Sequence, residues 1–180
     1  MTGDSLTVID GMPTLTSVGR LAVSSSDLVA LRLTGLRSVG EIDVSFAGAL
    51  TELSLPALEG ALGELSVAAP VATLDFGAIT SVEELVLINT ELTNVDAFCS
   101  LTAVTSDVVL RDKSFLTNLG GFASLDSVGG SLSVFGVTPS HPALDFCEVE
   151  GLRLQSGAGT GTIEQTVGAC ALPSTCPLVR

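Results

Sequence analysis

The sequence predicts an all-β protein, a right-handed parallel β-helix or solenoid of about seven short leucine-rich coils. A strand-forming composition, a repeated strand triplet and regularly placed glycines support this prediction. Of the 180 residues, 46% are hydrophobic, seven are Phe and none is Trp or Tyr, so the core must be largely aliphatic. Nineteen glycines, with abundant Val, Thr and Ser, favour strands and tight turns over helices. The right hand is expected by analogy with other parallel β-helices.

Short triplets that read apolar, variable, apolar recur along the chain. Clear examples begin at Leu21, Ile42, Leu65, Leu85 and Val108, and roughly 20 to 24 residues separate them, as in solenoids. Alternate side chains of a strand point to opposite sides, so the outer two of each triplet should face a shared core. One coil cannot bury its leucines, but coils stacked about 4.8 Å apart form continuous inward ladders.

Two further triplets extend the series at its ends. Leu6-Thr7-Val8 predicts the first strand, and Leu152-Arg153-Leu154 predicts the start of a last, incomplete coil. Residues 1–180 should form one domain, with coils over about 4–155 and an irregular, cysteine-containing cap over about 156–180. A β-sandwich would also explain the short strands, but it would not explain why Ser-Val-Gly recurs, at 17–19, 38–40 and 127–129, just before predicted strands.

Glycines stand just before several predicted strands, where the chain must turn sharply. Gly19, Gly40, Gly63 and the pair Gly129-Gly130 occupy such positions. The first strand begins with no cap ahead of it, and an uncapped end exposes strand edges. We therefore expect further sequence upstream in the intact polypeptide.

The net charge of the chain excludes some classes of binding partner. The 20 acidic and seven basic residues give a net charge of −13 and a pI near 4.1. This field repels phosphate backbones, so no nucleic-acid partner is expected. No apolar run reaches the roughly 18 residues that would cross a bilayer, and Met1–Ser5 lack the features of a signal peptide. The protein is expected either in the cytosol or, if the intact polypeptide carries a leader outside this sequence, in the extracellular space or cell envelope.

The residues that carry most enzyme chemistry are scarce. His141 is the only histidine and Lys113 the only lysine, which removes most general-base and nucleophile arrangements. Calcium loops, Walker loops and dinucleotide fingerprints are missing from the sequence, so no cofactor and no metal is expected. Asp75, Asp96 and Asp145 could meet at one corner and act on a glycosidic bond, or they could be solvated surface acids.

The middle residues of the triplets form the predicted binding face. They are mostly small and weakly charged, and two of them, Val86 and Val109, make an apolar centre. Such a flat face can be a contact surface or an ordinary exposed strand face. The predicted face consists of Thr7, Ala22, Asp43, Ser66, Val86, Val109, Ser133 and Arg153.

The combined pattern of L-x-V, L-x-x-L and L-x-S-V-G-G resembles the receptor L domain, a leucine-rich β-helix that is also similar to repeats of bacterial surface proteins. The resemblance covers residues 4 to about 155 and is clearest over 21–44 and 85–134. It implies an exported or surface recognition module, without enzymatic activity, that binds a protein or a glycan. Glycosylation sequons and the tryptophans and dense cysteine modules of animal receptors are missing, which favours a bacterial source over a hormone receptor.

The four cysteines leave two interpretations open. Cys99 and Cys147 occupy matching corners two coils apart, or roughly 9–10 Å, and a disulfide requires Cα atoms within about 7 Å. Because three cysteines crowd into the cap, we expect a disulfide from Cys147 to Cys170 or Cys176, with Cys99 buried and free. The alternative is a cytosolic protein with four reduced cysteines. A zinc site is not expected without a C-x-x-C motif.

Three functions follow from these observations. The first is a recognition module of the extracellular space or cell envelope. The second is a passive scaffold or stalk segment of a larger surface protein. The third and most distant is a carboxylate-dependent, glycan-cleaving enzyme.

Overall fold

The computed structural model describes residues 6–111, 115–135 and 146–163, and its strands pair in parallel throughout these segments. They form a six-stranded and a seven-stranded sheet, and the first twelve strands along the chain fall alternately in one and the other. The result is a β-solenoid of about six turns with one short helix, consistent with a right-handed coil. The predicted all-β solenoid is confirmed, with about six turns in place of about seven.

Each turn contributes one strand to each sheet, and a thirteenth strand extends the seven-stranded sheet. The six-stranded sheet has the order β1 (Val8–Gly11), β3 (Ala30–Leu33), β5 (Glu52–Ala61), β7 (Thr73–Val82), β9 (Ala103–Val104) and β11 (Ser127–Val128). The seven-stranded sheet has the order β13 (Gly159–Ile163), β12 (Ser131–Phe135), β10 (Val108–Arg111), β8 (Glu84–Ile88), β6 (Glu64–Ala68), β4 (Ser38–Val44) and β2 (Ser17–Val23). Two 3-10 helices span Asp96–Phe98 and Gly120–Phe122, and α1 spans Phe146–Ser156.

The predicted triplets of the seven-stranded sheet lie side by side in register. The first residue of each triplet pairs with the first residue of the next, which gives the row Leu21, Ile42, Leu65, Leu85, Val108 and Leu132. Leu85 and Val108 are fully buried, whereas Leu21 in the terminal strand is only partly buried. Burial of aliphatic side chains from successive turns in one interior provides the main driving force for folding.

Glycines allow successive turns to approach closely where β4 and β6 begin. A Cβ atom on Gly40 would lie 2.4 Å from the carbonyl oxygen of Gly19, and one on Gly63 would lie 2.7 Å from that of Gly40. The backbone N–H of Gly63 donates to the Gly40 oxygen at 2.7 Å. Only a residue without a side chain fits this spacing.

Three phenylalanines line one corner of the core. The rings of Phe76 and Phe98 meet edge to face at 5.8 Å, and those of Phe98 and Phe122 stack at 5.5 Å. Phe98 and Phe122 belong to the two 3-10 helices. At each helix an asparagine side chain accepts a backbone N–H at 3.1 Å, from Asp96 to Asn94 and from Gly120 to Asn118. These aromatic contacts join the last three turns.

Both predicted end triplets are wrong. Thr7 lies before β1, which belongs to the six-stranded sheet and pairs Val8 with Ala30, so it is not part of the row of later triplets. Arg153 lies in α1, where it binds Glu150 three residues earlier at 2.5 Å. The L-x-L pattern misled because burial in this segment follows helical spacing, with Val149 and Leu152 inside.

The predicted irregular cap begins with ordered structure. α1 replaces the expected last coil, and β13 follows it and pairs in parallel with β12. The backbone N–H of Ala158 donates to the Arg153 carbonyl, and Gly157 takes a positive φ of 66°, the usual way to end a helix. The rest of the predicted cap, including Cys170 and Cys176, lies outside the described residues.

Candidate functional site

Six of the eight residues predicted for the binding face form one continuous row on the outside of the seven-stranded sheet. Each pairs with the next in register, and all except the exposed Ala22 are half-buried. We call this set the outer row: Ala22, Asp43, Ser66, Val86, Val109 and Ser133. The structure therefore brings together the predicted residues from the middle strands and excludes Thr7 and Arg153.

The apolar area at the centre of the outer row includes more residues than the two valines. Val86 and Val109 pair directly, and Ile88 lies two residues beyond Val86 on the same side of β8. Ala68 pairs with Ile88 across the strands. All four side chains are half-buried. We call Ala68, Val86, Ile88 and Val109 the aliphatic patch. Sequence analysis identified only its two valines.

A column of glutamates runs beside the aliphatic patch. Glu41, Glu64 and Glu84, which we call the acidic column, each precede an outer-row residue by two positions. Glu64 pairs directly with Glu84. Like charges opposite each other on neighbouring strands repel, so the column is electrostatically unfavourable for the free protein.

Arginine balances one end of the acidic column. Arg20 reaches Glu41 at 3.3 Å and Asp43 at 2.8 Å. Within the described part of the chain, no ion pair reaches Glu64 or Glu84. Partial desolvation, and then the charges of Glu84 and Glu41, raise the pKa of Glu64 above its ordinary value of 4.5. The charge of Arg20 offsets part of this effect, but the middle of the column keeps an excess of negative charge.

An open groove of about 460 Å³ follows the acidic column. Gly19, Gly40 and Gly63 line it together with the glutamates. Close backbone stacking leaves no room for a side chain at Gly40 and Gly63, whereas Gly19 lies in open space. No group of three or more His, Cys, Asp or Glu side chains among the described residues has a geometry that could hold a metal ion.

The outer side of the six-stranded sheet is arranged differently. Asp10, Arg32, Ser54 and Asp75 lie in register on successive strands. Arg32 donates to Asp10 at 3.3 Å, and Ser54 donates to Asp75 at 2.8 Å. Arg32 also binds both carboxylate oxygens of Glu52 at 2.5 Å, which lowers the Glu52 pKa. Polar groups here are satisfied within the protein.

Two of the three candidate catalytic carboxylates share a cleft. Asp75 and Asp96 line an open cleft of about 790 Å³ beside the first 3-10 helix. The third, Asp145, lies outside the described residues, as does His141. Asp75 is held by the Ser54 hydroxyl. Phe76 also lines the cleft, but it is only 5% exposed and so offers little ring surface to a sugar.

Phe46 is a candidate contact residue that sequence analysis missed. It follows β4, its side chain is 89% exposed, and its φ is +54°. Bulky residues rarely adopt this left-handed conformation. Asn89, with φ +53°, holds the corresponding position after β8, where asparagine is well suited. The available signal was a phenylalanine inside the otherwise small and polar turn of Ser45 to Gly48.

Cys99 differs from the prediction. It is half-buried, lines the cleft and is disulfide-bonded, so the prediction that it is free is wrong. That prediction assumed regular coil spacing up to residue 154, and α1 interrupts that spacing. The predicted disulfide from Cys147 to Cys170 or Cys176 lies outside the described side chains.

Comparisons with known proteins leave the family open. No protein-family model, curated protein or solved structure matches this chain. The resemblance to the receptor L domain therefore stays a prediction. Among the described residues, no helix has the length and apolar character needed to cross a membrane.

Proposed function

We propose that this chain is a non-enzymatic recognition module that binds a protein or a glycan through the outer side of the seven-stranded sheet. One observation carries the proposal. The aliphatic patch lies in register at the centre of that side, whereas the matching side of the other sheet is closed by its own ion pairs and hydrogen bonds. Aliphatic side chains grouped on a flat surface favour contact with a partner.

Phe46 supports the same role. Its exposed ring and positive φ contribute nothing evident to the core, and exposed aromatic side chains are frequent anchors in protein interfaces. It directly follows the strand that carries Asp43 of the outer row. An exposed aromatic ring on the turn after β4 fits a contact surface better than it fits a passive stalk.

An extracellular or cell-envelope location is part of the proposal. The disulfide at Cys99 supports it, because disulfides persist in oxidising compartments and are rare in the cytosol. A thiol titration of the unfolded, unreduced protein purified from its native compartment tests this point. A single pair of oxidised cysteines would leave two titratable thiols, and four titratable thiols would contradict the proposed location.

The binding role can be tested by selection and substitution. Binders selected from a peptide library and a glycan array would be measured against wild type, Val86→Arg/Val109→Arg, and the control Thr73→Arg/Ser127→Arg. The control adds the same charge to exposed strand positions of the six-stranded sheet. We expect the first variant to lose at least about tenfold in affinity for the binders while melting like wild type.

Other outcomes separate the alternatives. Equal affinity for both double variants would contradict recognition through this face. Failure to select any binder would favour a scaffold or stalk. Turnover in a glycan screen that is lost in Asp75→Asn would favour the carboxylate enzyme, and Asp75 and Asp96 in one cleft are the only support for it.

A further inference from the structure

Outward side chains along β8 change from acidic to aliphatic in a fixed order. Glu84, Val86 and Ile88 are alternate residues of one strand, so they point to the same side. Alternate residues of a strand lie about 6.6 Å apart. Any second extended chain laid along β8 presents its own alternate side chains at that same spacing. An extended partner that lies along β8 can therefore place one side chain over each outward residue of this strand.

The neighbouring strand repeats this order in a weaker form. Along β6 the outward residues are Glu64, Ser66 and Ala68, and each pairs with its counterpart in β8. The two glutamates lie on adjacent strands, about 4.8 Å apart. A single cationic side chain placed above them would contact both carboxylates. Glu64 and Glu84 together can therefore accept one basic side chain from an extended partner.

The protein already contains such a contact one strand away. Arg20 lies over the acidic edge of the sheet and binds Glu41 and Asp43 at 3.3 and 2.8 Å. Glu64 and Glu84 have no equivalent arginine among the described residues. A basic side chain from a partner would supply the missing charge, and the net charge of −13 would attract such a partner over a longer range.

We propose that this surface binds an extended basic polypeptide segment in which a lysine or arginine is followed, at alternate positions, by two aliphatic residues. The basic residue lies over Glu64 and Glu84, and the aliphatic residues lie over Val86, Ile88 and Val109. This inference rests on the proposed function and specifies its partner. A glycan fits less well, because the chain lacks the Trp and Tyr side chains on which sugar rings stack.

The test uses a fluorescently labelled peptide made of two copies of Lys-Thr-Val-Thr-Val-Thr. One control peptide has the same composition with the alternation scrambled, and another has glutamate in place of each lysine. The protein variants are Val86→Arg/Val109→Arg and Glu64→Gln/Glu84→Gln. The matched control for charge removal is Glu91→Gln/Asp126→Asn, which removes two exposed acids outside the seven-stranded sheet.

Fluorescence anisotropy should show binding of the alternating peptide to wild type at low salt. We expect Glu64→Gln/Glu84→Gln to weaken it about five- to tenfold, and this difference should shrink toward unity near 1 M salt because the charges are exposed. Glu91→Gln/Asp126→Asn should bind within about twofold of wild type. The scrambled peptide should bind at least about fivefold more weakly, since it cannot place both charge and aliphatic groups in register.

The outcomes that contradict the further inference can be distinguished from those that contradict the proposed function. Equal binding of the alternating and scrambled peptides, or an unchanged affinity in Glu64→Gln/Glu84→Gln, would overturn the inference. If the glutamate peptide binds as well as the lysine peptide and Val86→Arg/Val109→Arg abolishes both, the face is a contact surface but the partner is not basic. If Val86→Arg/Val109→Arg leaves all binding intact, the proposed function fails as well.

Discussion

The outer sides of the two sheets are built on the same strand stacking, and an arginine bridges two acids on each, yet the pairs beyond these arginines differ. On the six-stranded sheet, Arg32 is held between Asp10 and Glu52, so neighbouring charges have opposite sign. On the seven-stranded sheet, Arg20 reaches only Glu41 and Asp43 among the described residues, and Glu64 pairs with the like charge of Glu84. The outward residues farther along β8 are aliphatic, and those along β6 are Ser66 and Ala68. The comparison shows that a regular solenoid can pair opposite charges across one face and leave like charges paired on the other.

The inner sides of the sheets should behave alike, and this is the largest effect we predict. Leu85 of the seven-stranded sheet and Leu53 of the six-stranded sheet are both fully buried. Replacing either by Ala should lower the free energy of unfolding by about 2–5 kcal/mol, because a cavity remains in the shared core. Urea titrations of both variants measure this. If one leucine is tolerated and the other is not, the two sheets differ inside as well as outside.

Close stacking below the acidic column gives the next largest effect. Gly40→Ala should destabilise the protein by about 1–3 kcal/mol, since the new Cβ would overlap the Gly19 carbonyl. Gly19→Ala is the matched control, because a Cβ there meets no atom within 4 Å. Thermal melts of both variants test the prediction. Equal melting temperatures would mean that the turns are spaced more widely than we describe.

Phe46 should show a trade-off between stability and binding. Phe46→Asn should stabilise the fold by up to about 1 kcal/mol, because asparagine adopts a positive φ more readily. The same change should lower the affinity for a partner that binds through the contact surface. Melting and binding measured on the same preparation test both parts. A variant that is more stable and binds unchanged would remove Phe46 from the contact surface.

The two faces should respond to pH with opposite sign. Arg32 lowers the pKa of Glu52, so Glu52 contributes stability above its ordinary pKa of 4.5, which is lost as pH falls through the lower, folded value. The pKa of Glu64 is raised, so its ionisation opposes folding. This cost grows as pH rises from 4.5 through the raised folded value, and it stays at its full size at higher pH.

Substitutions at these carboxylates give the smallest effect. Glu64→Gln should raise the melting temperature by roughly 1–2 °C near pH 7 and by nothing near pH 3. Glu52→Gln should lower it by a similar amount near pH 7 only. Glu41→Gln is the control, and it should give no gain because it removes a partner of Arg20. Scanning calorimetry across this pH range measures all three, and a loss of stability in Glu64→Gln at pH 7 would contradict the comparison.

The strands in the middle of the fold were predictable because the apolar, variable, apolar pattern of each triplet indicates which side chains face the core. In Leu65-Ser66-Val67 and Leu85-Val86-Leu87, the outer residues are buried and the middle ones are not. The ends were not predictable from the same pattern. Leu152-Arg153-Leu154 is also apolar, variable, apolar, and only its position three residues after Val149 indicates a helix.

The candidate site was predictable only in part, because its remaining features depend on contacts between turns. The pairing of Glu64 with Glu84, and of Arg20 with Glu41, joins residues about 20 positions apart in the sequence. The positive φ of Phe46 is a conformation that phenylalanine rarely adopts, so the sequence offered only the presence of a Phe in a small, polar turn. Alternation therefore identified the outer row, but it could not identify the charges and the aromatic ring beside it.

The contact role of the seven-stranded sheet is tested most directly by mapping the bound peptide on amide NMR spectra of the isotope-labelled protein. Titration with the alternating lysine peptide should shift the amide signals of Ser66, Val86 and Val109 and leave those of Arg32 and Ser54 in place. Shifts confined to the six-stranded sheet or to the cleft around Asp75, or no shifts at saturating peptide, would contradict the account.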